Sequence, residues 1–178
     1  MSTIRIAAFS FAPEPAQVEE NARRIAAAIA QAKQQKCDIA LFPETALIGY
    51  CLGDRHRDPE LMRRQETAVD AVIAPACTGI TAIVGVTYME TGIRRNGAVV
   101  LSGGRRVHRQ SKVLLADEGV LEDSRHFEPG TPDGIAPVRI PLAGGGSADI
   151  GVLVCQDMWD DAETAHPARL LAIRGAQL

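Results

Sequence analysis

The chain has 178 residues, a length that suits one domain and can bury a sizeable core. Its apolar fraction of 46%, charged fraction of 23% and net charge of −3 are ordinary for a soluble globular protein, and they give no basic face for nucleic acid. No apolar run approaches the ~20 residues of a membrane span, and Met1-Ser-Thr-Ile-Arg5 does not open a signal peptide. Cys37, Cys51, Cys77 and Cys155 lie far apart, without C-x-x-C or Cys/His metal spacing. That usage fits a reducing, cytoplasmic chain, though a disulfide pair stays open. His56, His108, His126 and His166 are equally scattered, and the default for each is a surface or satisfied-core role.

Ile4, Ile6 and Ala8 alternate with Arg5, which predicts a first strand running to about Phe11, broken by Pro13 and Pro15. Val18, Ala22, Ile25, Ile29 and Ala32 recur every three or four residues and predict a helix ending near Lys36. Cys37 to Phe42 reads as a buried second strand, so the opening is β-α-β and favours parallel pairing. Pro43-Glu44 closes it, placing an acid at the strand edge where open α/β sheets bind ligands. A lone loop Glu is more often simply solvated.

An irregular segment follows, and Asp58-Pro59 predicts a helix start with Asp as N-cap and Pro at the first helical position. Leu61, Ala68, Val69, Val72 and Ile73 supply that helix's apolar side. Thr81 to Tyr88 and Gly97 to Leu101 read as strands, and Ser102-Gly-Gly-Arg105 as a hairpin turn returning through Lys112. Neither these glycines nor Gly144 to Gly146 fit a phosphate-binding pattern, so they are turn glycines.

Lys112 opens a long loop to about Gly134, rich in acids, and a long loop within a compact domain is often functional. Pro137 to Pro141 and Ala148 to Cys155 form a second strand pair around the Gly144 turn. Asp160 to Arg174 predicts a helix capped by Gly175, and Ala176-Gln-Leu178 resembles the opening of a further strand.

The stretch Ile150 to Trp159 stands out because a run of aliphatic residues stops at a thiol and turns polar at once. A free cysteine is usually a small core hydrophobe, but a strand ending at a thiol is also how α/β enzymes present a nucleophile. Glu44, Lys112 and Cys155 each end a predicted strand and open a loop. Brought together, they form a coherent amide-cleaving set. The thiol needs a base to become a thiolate, a carboxylate can take that proton, and an ammonium can hold the oxyanion.

Phe42-Pro-Glu-Thr-Ala-Leu-Ile-Gly-Tyr50, His108-Arg-Gln-Ser-Lys112 and Val154-Cys-Gln-Asp-Met-Trp159 together resemble the glutamate, lysine and cysteine motifs of the nitrilase (carbon–nitrogen hydrolase) superfamily. The resemblance covers essentially the whole chain. Tyr50, the Gly119-to-Gly130 loop and the Cys-x-Asp-x-Trp pattern are most similar to the glutaminase part of glutamine-dependent NAD synthetase and its free-standing amidase relatives. It implies an αββα sandwich, with residues 1–178 as the N-terminal portion of that domain, incomplete at its C-terminus and with no second domain present.

The resemblance also implies roles. Glu44 would be general base and then acid, Cys155 would carry a thioester, and Lys112 with the Gln156 backbone N–H would hold the oxyanion. The family's second acid falls on Asp123, one methylene shorter than the usual Glu. Tyr50, Glu118 and Trp159 are expected at the substrate. Glu118 stands where the branch has Tyr, which makes that wall acidic, and Gln156 replaces the branch's Glu.

The chemistry so implied needs no metal or organic cofactor. The implied function is hydrolysis of a small carboxamide to acid and ammonia. The alternatives are the ammonia-supplying part of an NAD synthetase, whose synthetase domain would lie in a longer chain, and a catalytically impaired binding or assembly protein. A homo-oligomer through the Asp160–Arg174 helix is expected, with no membrane or nucleic-acid partner.

Overall fold

A computed structural model describes residues 3–159 and 165–178. A five-stranded sheet in the order β1 (Ile6–Ala8), β2 (Ile39–Leu41), β3 (Thr81–Glu90), β4 (Ile93–Ser102), β5 (Arg105–Ser111) forms its centre. As the β-α-β opening predicts, β1 pairs parallel to β2 and β2 parallel to β3. From β3 onward the sheet is an antiparallel meander. The turn between β3 and β4 is Thr91-Gly92, both at positive φ, as a two-residue hairpin requires. The first strand is shorter than expected, since only Ile6–Ala8 pair with β2 before the prolines.

One face of this sheet is covered by α1 (Val18–Gln34), whose buried residues Val18, Ala22, Ile25, Ile29 and Ala32 are the predicted apolar stripe. Beside it lies α2 (Pro59–Ala68), with Asp58 accepting the Glu60 N–H at 2.9 Å as N-cap. It continues through a π-helical turn (Val69–Ile73) into α3 (Ala74–Ala76).

The other face packs on a second, two-stranded sheet, β6 (Val138–Pro141) antiparallel to β7 (Ser147–Ile150). Ile39, Ile83, Ala98 and Val100 meet Val138, Ile140, Ala148, Ile150, Val152 and Val154 in the layer between the sheets. Beyond it, α4 (Asp123–His126) lies in the Lys112 loop, and α5 (Pro167–Ile173) packs Leu171 on the outer side with Val113, Leu114 and Ile135. The layers therefore run helix, sheet, sheet, helix.

Two expectations are corrected. The strand predicted to reach Cys155 leaves its ladder at Ile150, because Gly151 N–H donates to the Leu178 carbonyl at 2.7 Å instead of to β6. Gln177 N–H also reaches the Asp149 carbonyl at 2.7 Å, so the C-terminal segment lies alongside β7 as a strand opening would. The predicted Asp160–Arg174 helix is observed as Pro167–Ile173, and residues 160–164 lie outside the described ones. Pro167 takes the first helical turn, where its missing N–H does no harm.

Candidate active site

Glu44 sits in the turn after β2, and Thr45 beside it has φ 51°, a left-handed conformation unusual for a β-branched residue. Gly85 of β3 makes room for that turn. A methyl there would stand 2.6 Å from the Glu44 Cα and 2.5 Å from the Thr45 N, and would also meet the Pro43 carbonyl. Lys112 follows β5, and its main chain is anchored on both sides. Its N–H donates to the Asn96 carbonyl at 2.9 Å, and its carbonyl accepts the Gly130 N–H at 2.7 Å.

The two strand ends converge. Lys112 Nζ lies 2.7 Å from Glu44 Oε1 and 2.6 Å from Asp123 Oδ2, with the Lys112 side chain wholly buried. Asp123 is held in turn by the Tyr50 hydroxyl, donating at 2.7 Å, and the Ala116 N–H at 3.0 Å. Burial alone would push the Lys112 ammonium down, but the two carboxylates bonded to it hold it above its ordinary value. Burial and the Asp123 charge push the Tyr50 hydroxyl well up, so it remains a donor.

Cys155 opens a 3-10 turn (Cys155–Met158) with φ 49°. A side chain held in the left-handed region is a strained arrangement that surroundings must enforce. Asp157 does so: its carboxylate accepts the N–H groups of Val113 at 3.0 Å, Leu114 at 2.8 Å and Val154 at 3.2 Å. One buried carboxylate thus pins the cysteine turn to the chain just after Lys112. Burial pushes the Cys155 thiol up, and the Glu44 charge and hydrogen bond push it further. Lys112 and the Gln156 N–H act the other way. The resting group is therefore a thiol beside a carboxylate, not a preformed thiolate.

Glu44, Lys112, Asp123, Tyr50, Cys155 and the Gln156 N–H are thus brought together. Glu44 and Cys155 share a cleft of about 70 Å³ between the sheets, lined also by Phe42, Gly85, Gly97 and Val154. Glu118 is exposed, Trp159 is 69% exposed, and neither lines that cleft.

Two residues of the site carried no predicted role. Asn96 donates to Glu44 Oε1 at 2.6 Å while its backbone holds Lys112. It stands just ahead of the Gly97–Leu101 run that predicts the strand, after Arg94 and Arg95, so nothing local marks it. Asp157 lay inside the cysteine motif, but its three amide partners are only visible in space.

The carbon–nitrogen hydrolase profile matches residues 5–174. The chain belongs to the carbon–nitrogen hydrolase family. Among curated relatives it is 34% identical over 177 residues to the glutamine-dependent NAD(+) synthetase of Xanthomonas campestris pv. campestris, covering 99% of this chain and 30% of that one. Among solved structures it resembles the glutamine-dependent NAD+ synthetase of Acinetobacter baumannii, at TM-score 0.76 and 28% identity over 88% of this chain and 28% of that chain. An amidase from Nesterenkonia sp. shares the fold at TM-score 0.75 and 24% identity, covering 98% of this chain and 62% of the other. The chain spans about 30% of the length of the curated synthetase relatives. The nitrilase-type fold and family are as the sequence motifs implied. Among the described residues no helix is long and apolar enough to cross a membrane.

Proposed function

We propose that the chain carries a thiol amidohydrolase site that cleaves a small carboxamide to acid and ammonia. The observation that supports it most is the Lys112 ammonium, buried and clamped between Glu44 at 2.7 Å and Asp123 at 2.6 Å beside the Cys155 thiol. An ammonium has three N–H donors, and two are taken by these carboxylates, which leaves one for a developing oxyanion.

Glu44 takes the Cys155 proton as the sulfur attacks the amide carbonyl. The oxyanion is held by Lys112 and the Gln156 N–H. When the tetrahedral centre collapses, the C–N bond breaks and Glu44 returns the proton to departing ammonia, leaving a thioester. Water, deprotonated by Glu44, then attacks the thioester; the C–S bond breaks, Glu44 returns the proton to the Cys155 sulfur, and the carboxylic acid leaves. General acid–base help supplies about 10²–10⁴ in rate and each oxyanion donor about 10²–10³. Asp123 and Asn96 act as positioning residues, orienting Lys112 and Glu44.

Ammonia release across a panel of small amides tests this reading, with activity lost in Cys155→Ala. Full activity in that variant refutes it. The second reading, an ammonia-supplying module of an NAD synthetase, is favoured by the 34% identity to such an enzyme. Glutamine outperforming simple amides by a hundredfold or more in kcat/KM would select it. A binding or assembly role would show as a folded protein that releases no ammonia from any amide of the panel, glutamine included. Self-association through the Pro167–Ile173 helix, implied by the family resemblance, is read out by sedimentation.

A further inference from the structure

Between the 3-10 turn Gly53–Arg57 and α4 lies a pocket of about 240 Å³ that shares Tyr50 and Asp123 with the site above but none of Glu44, Lys112 and Cys155. Its wall includes Tyr50, Cys51, His56, Glu122, Asp123 and His126. His56 is 3% exposed and His126 6%. Their rings lie 5.3 Å apart, and Phe127 packs against both. Nδ1 of each ring is buried with no hydrogen-bond partner among the described residues. Such orphaned polar atoms are uncommon in folded proteins, and two on one pocket wall do not fit a satisfied-core role.

The tautomer of His56 follows from its other nitrogen. Nε2 lies 2.6 Å from the Tyr50 carbonyl oxygen, which can only accept, so Nε2 carries the proton and Nδ1 offers a lone pair. Burial pushes both imidazoles below their ordinary range, which keeps them neutral near pH 7. Asp123 is the carboxylate facing His56, while Arg125, Arg57, Asp54 and Glu122 surround His126. The pocket wall itself carries Glu122 and Asp123 but neither Lys nor Arg. No group of three His, Cys, Asp or Glu residues among those described is arranged to hold a metal ion. The His56 lone pair and the two carboxylates, with no Lys or Arg on the wall, suit a ligand that brings its own N–H.

We propose that this pocket is a subsite for an N–H donor, best a protonated primary amine, read by His56 Nδ1 with His126 and Glu122 beside it. The amidase reading enters only through the consequence of binding. The Tyr50 hydroxyl donates to Asp123 at 2.7 Å, and Asp123 holds Lys112, so an occupant touches the groups that orient the oxyanion donor. The amine is either the far end of the amide substrate or a separate small effector. The recognising chemistry is the same.

The test titrates 1-propylammonium, with propionate as the matched anion, into Cys155→Ala protein and follows the ring nitrogen resonances of His56 and His126 by NMR. Cys155 is not on the pocket wall, so this readout does not depend on turnover. Saturable shifts of both rings with propylammonium and none with propionate are expected. His56→Phe, which keeps ring bulk and removes the acceptor, should weaken binding about tenfold or more. Should that variant fail to fold, His126→Phe with the His56 resonance as readout serves in its place. In turnover by the unmodified protein, competition between propylammonium and an amide assigns the substrate arm, and a change in kcat without competition assigns the effector arm. No saturable shift with propylammonium, or an equal response to propionate, overturns the proposal. Absent turnover with intact shifts overturns the amidase reading alone.

Discussion

Lys112 Nζ stands 2.6 Å from Asp123 Oδ2, with neither side chain exposed to solvent. The shorter side chain of Asp suffices because α4 begins at Asp123 and the Ala116 N–H and Tyr50 hydroxyl draw its carboxylate toward the lysine. Without Asp123 the Lys112 ammonium keeps Glu44 as its counter-charge, but one of its N–H groups, the Tyr50 hydroxyl and the Ala116 N–H lose their acceptor. Asp123→Ala should therefore lower stability by about 1–3 kcal/mol in urea unfolding. A loss below about 1 kcal/mol would show that the pair is not holding the loop.

Glu44→Gln should separate two effects of one carboxylate. Amide turnover should fall about 10²–10⁴-fold as the general base is lost. The Cys155 thiol should titrate lower, because the Glu44 charge and hydrogen bond that raise it are gone. Iodoacetamide labelling of Cys155 as a function of pH reads this directly. A midpoint that stays or rises would mean that Glu44 does not face the sulfur.

Cys155 carries its side chain at φ 49°, where glycine is unstrained. Both Cys155→Gly and Cys155→Ala remove the sulfur, but only glycine relieves the backbone. Allowing for its greater freedom when unfolded, Cys155→Gly should be about 0.5–1 kcal/mol more stable than Cys155→Ala. Chemical denaturation of the pair decides it, and equal stability would argue against strain at the nucleophile.

Gly85→Ala should reduce turnover by about 10²-fold, since a methyl 2.6 Å from the Glu44 Cα must displace main chain rather than a flexible side chain. Gly144→Ala is the control, because nothing lies within 4 Å of its added methyl. Steady-state kinetics of the two variants, with similar activities, would place the Glu44 turn elsewhere.

Burial lowers the imidazoles of His56, His108 and His126 in the folded state from an ordinary value of 6.5. The unfolded chain then binds more protons at acid pH. Their contribution to stability is complete above pH 6.5 and is lost as pH falls through the lower folded values. Thermal unfolding should show Tm dropping below pH 6.5, with a shallower drop in His56→Phe. A Tm flat from pH 7 to 5 would contradict the burial of these rings.

The sequence by itself determined the helices and strands whose apolar residues repeat at periods of 3.6 or 2, and it placed Glu44, Lys112 and Cys155 at the ends of such elements. Periodicity is a local property, and the motifs around these residues are contiguous, so both are legible along the chain. Tertiary structure alone decided what crosses between segments. Asn96 meets Glu44 across 52 positions, Asp157 reaches back 44 to Val113, and Tyr50 finds Asp123 73 residues away. The paired histidines of the second pocket, 70 positions apart by residue number, have no local signature at all. Which polar atoms share a buried space depends on how the sheets and loops pack, and no spacing within one segment encodes that.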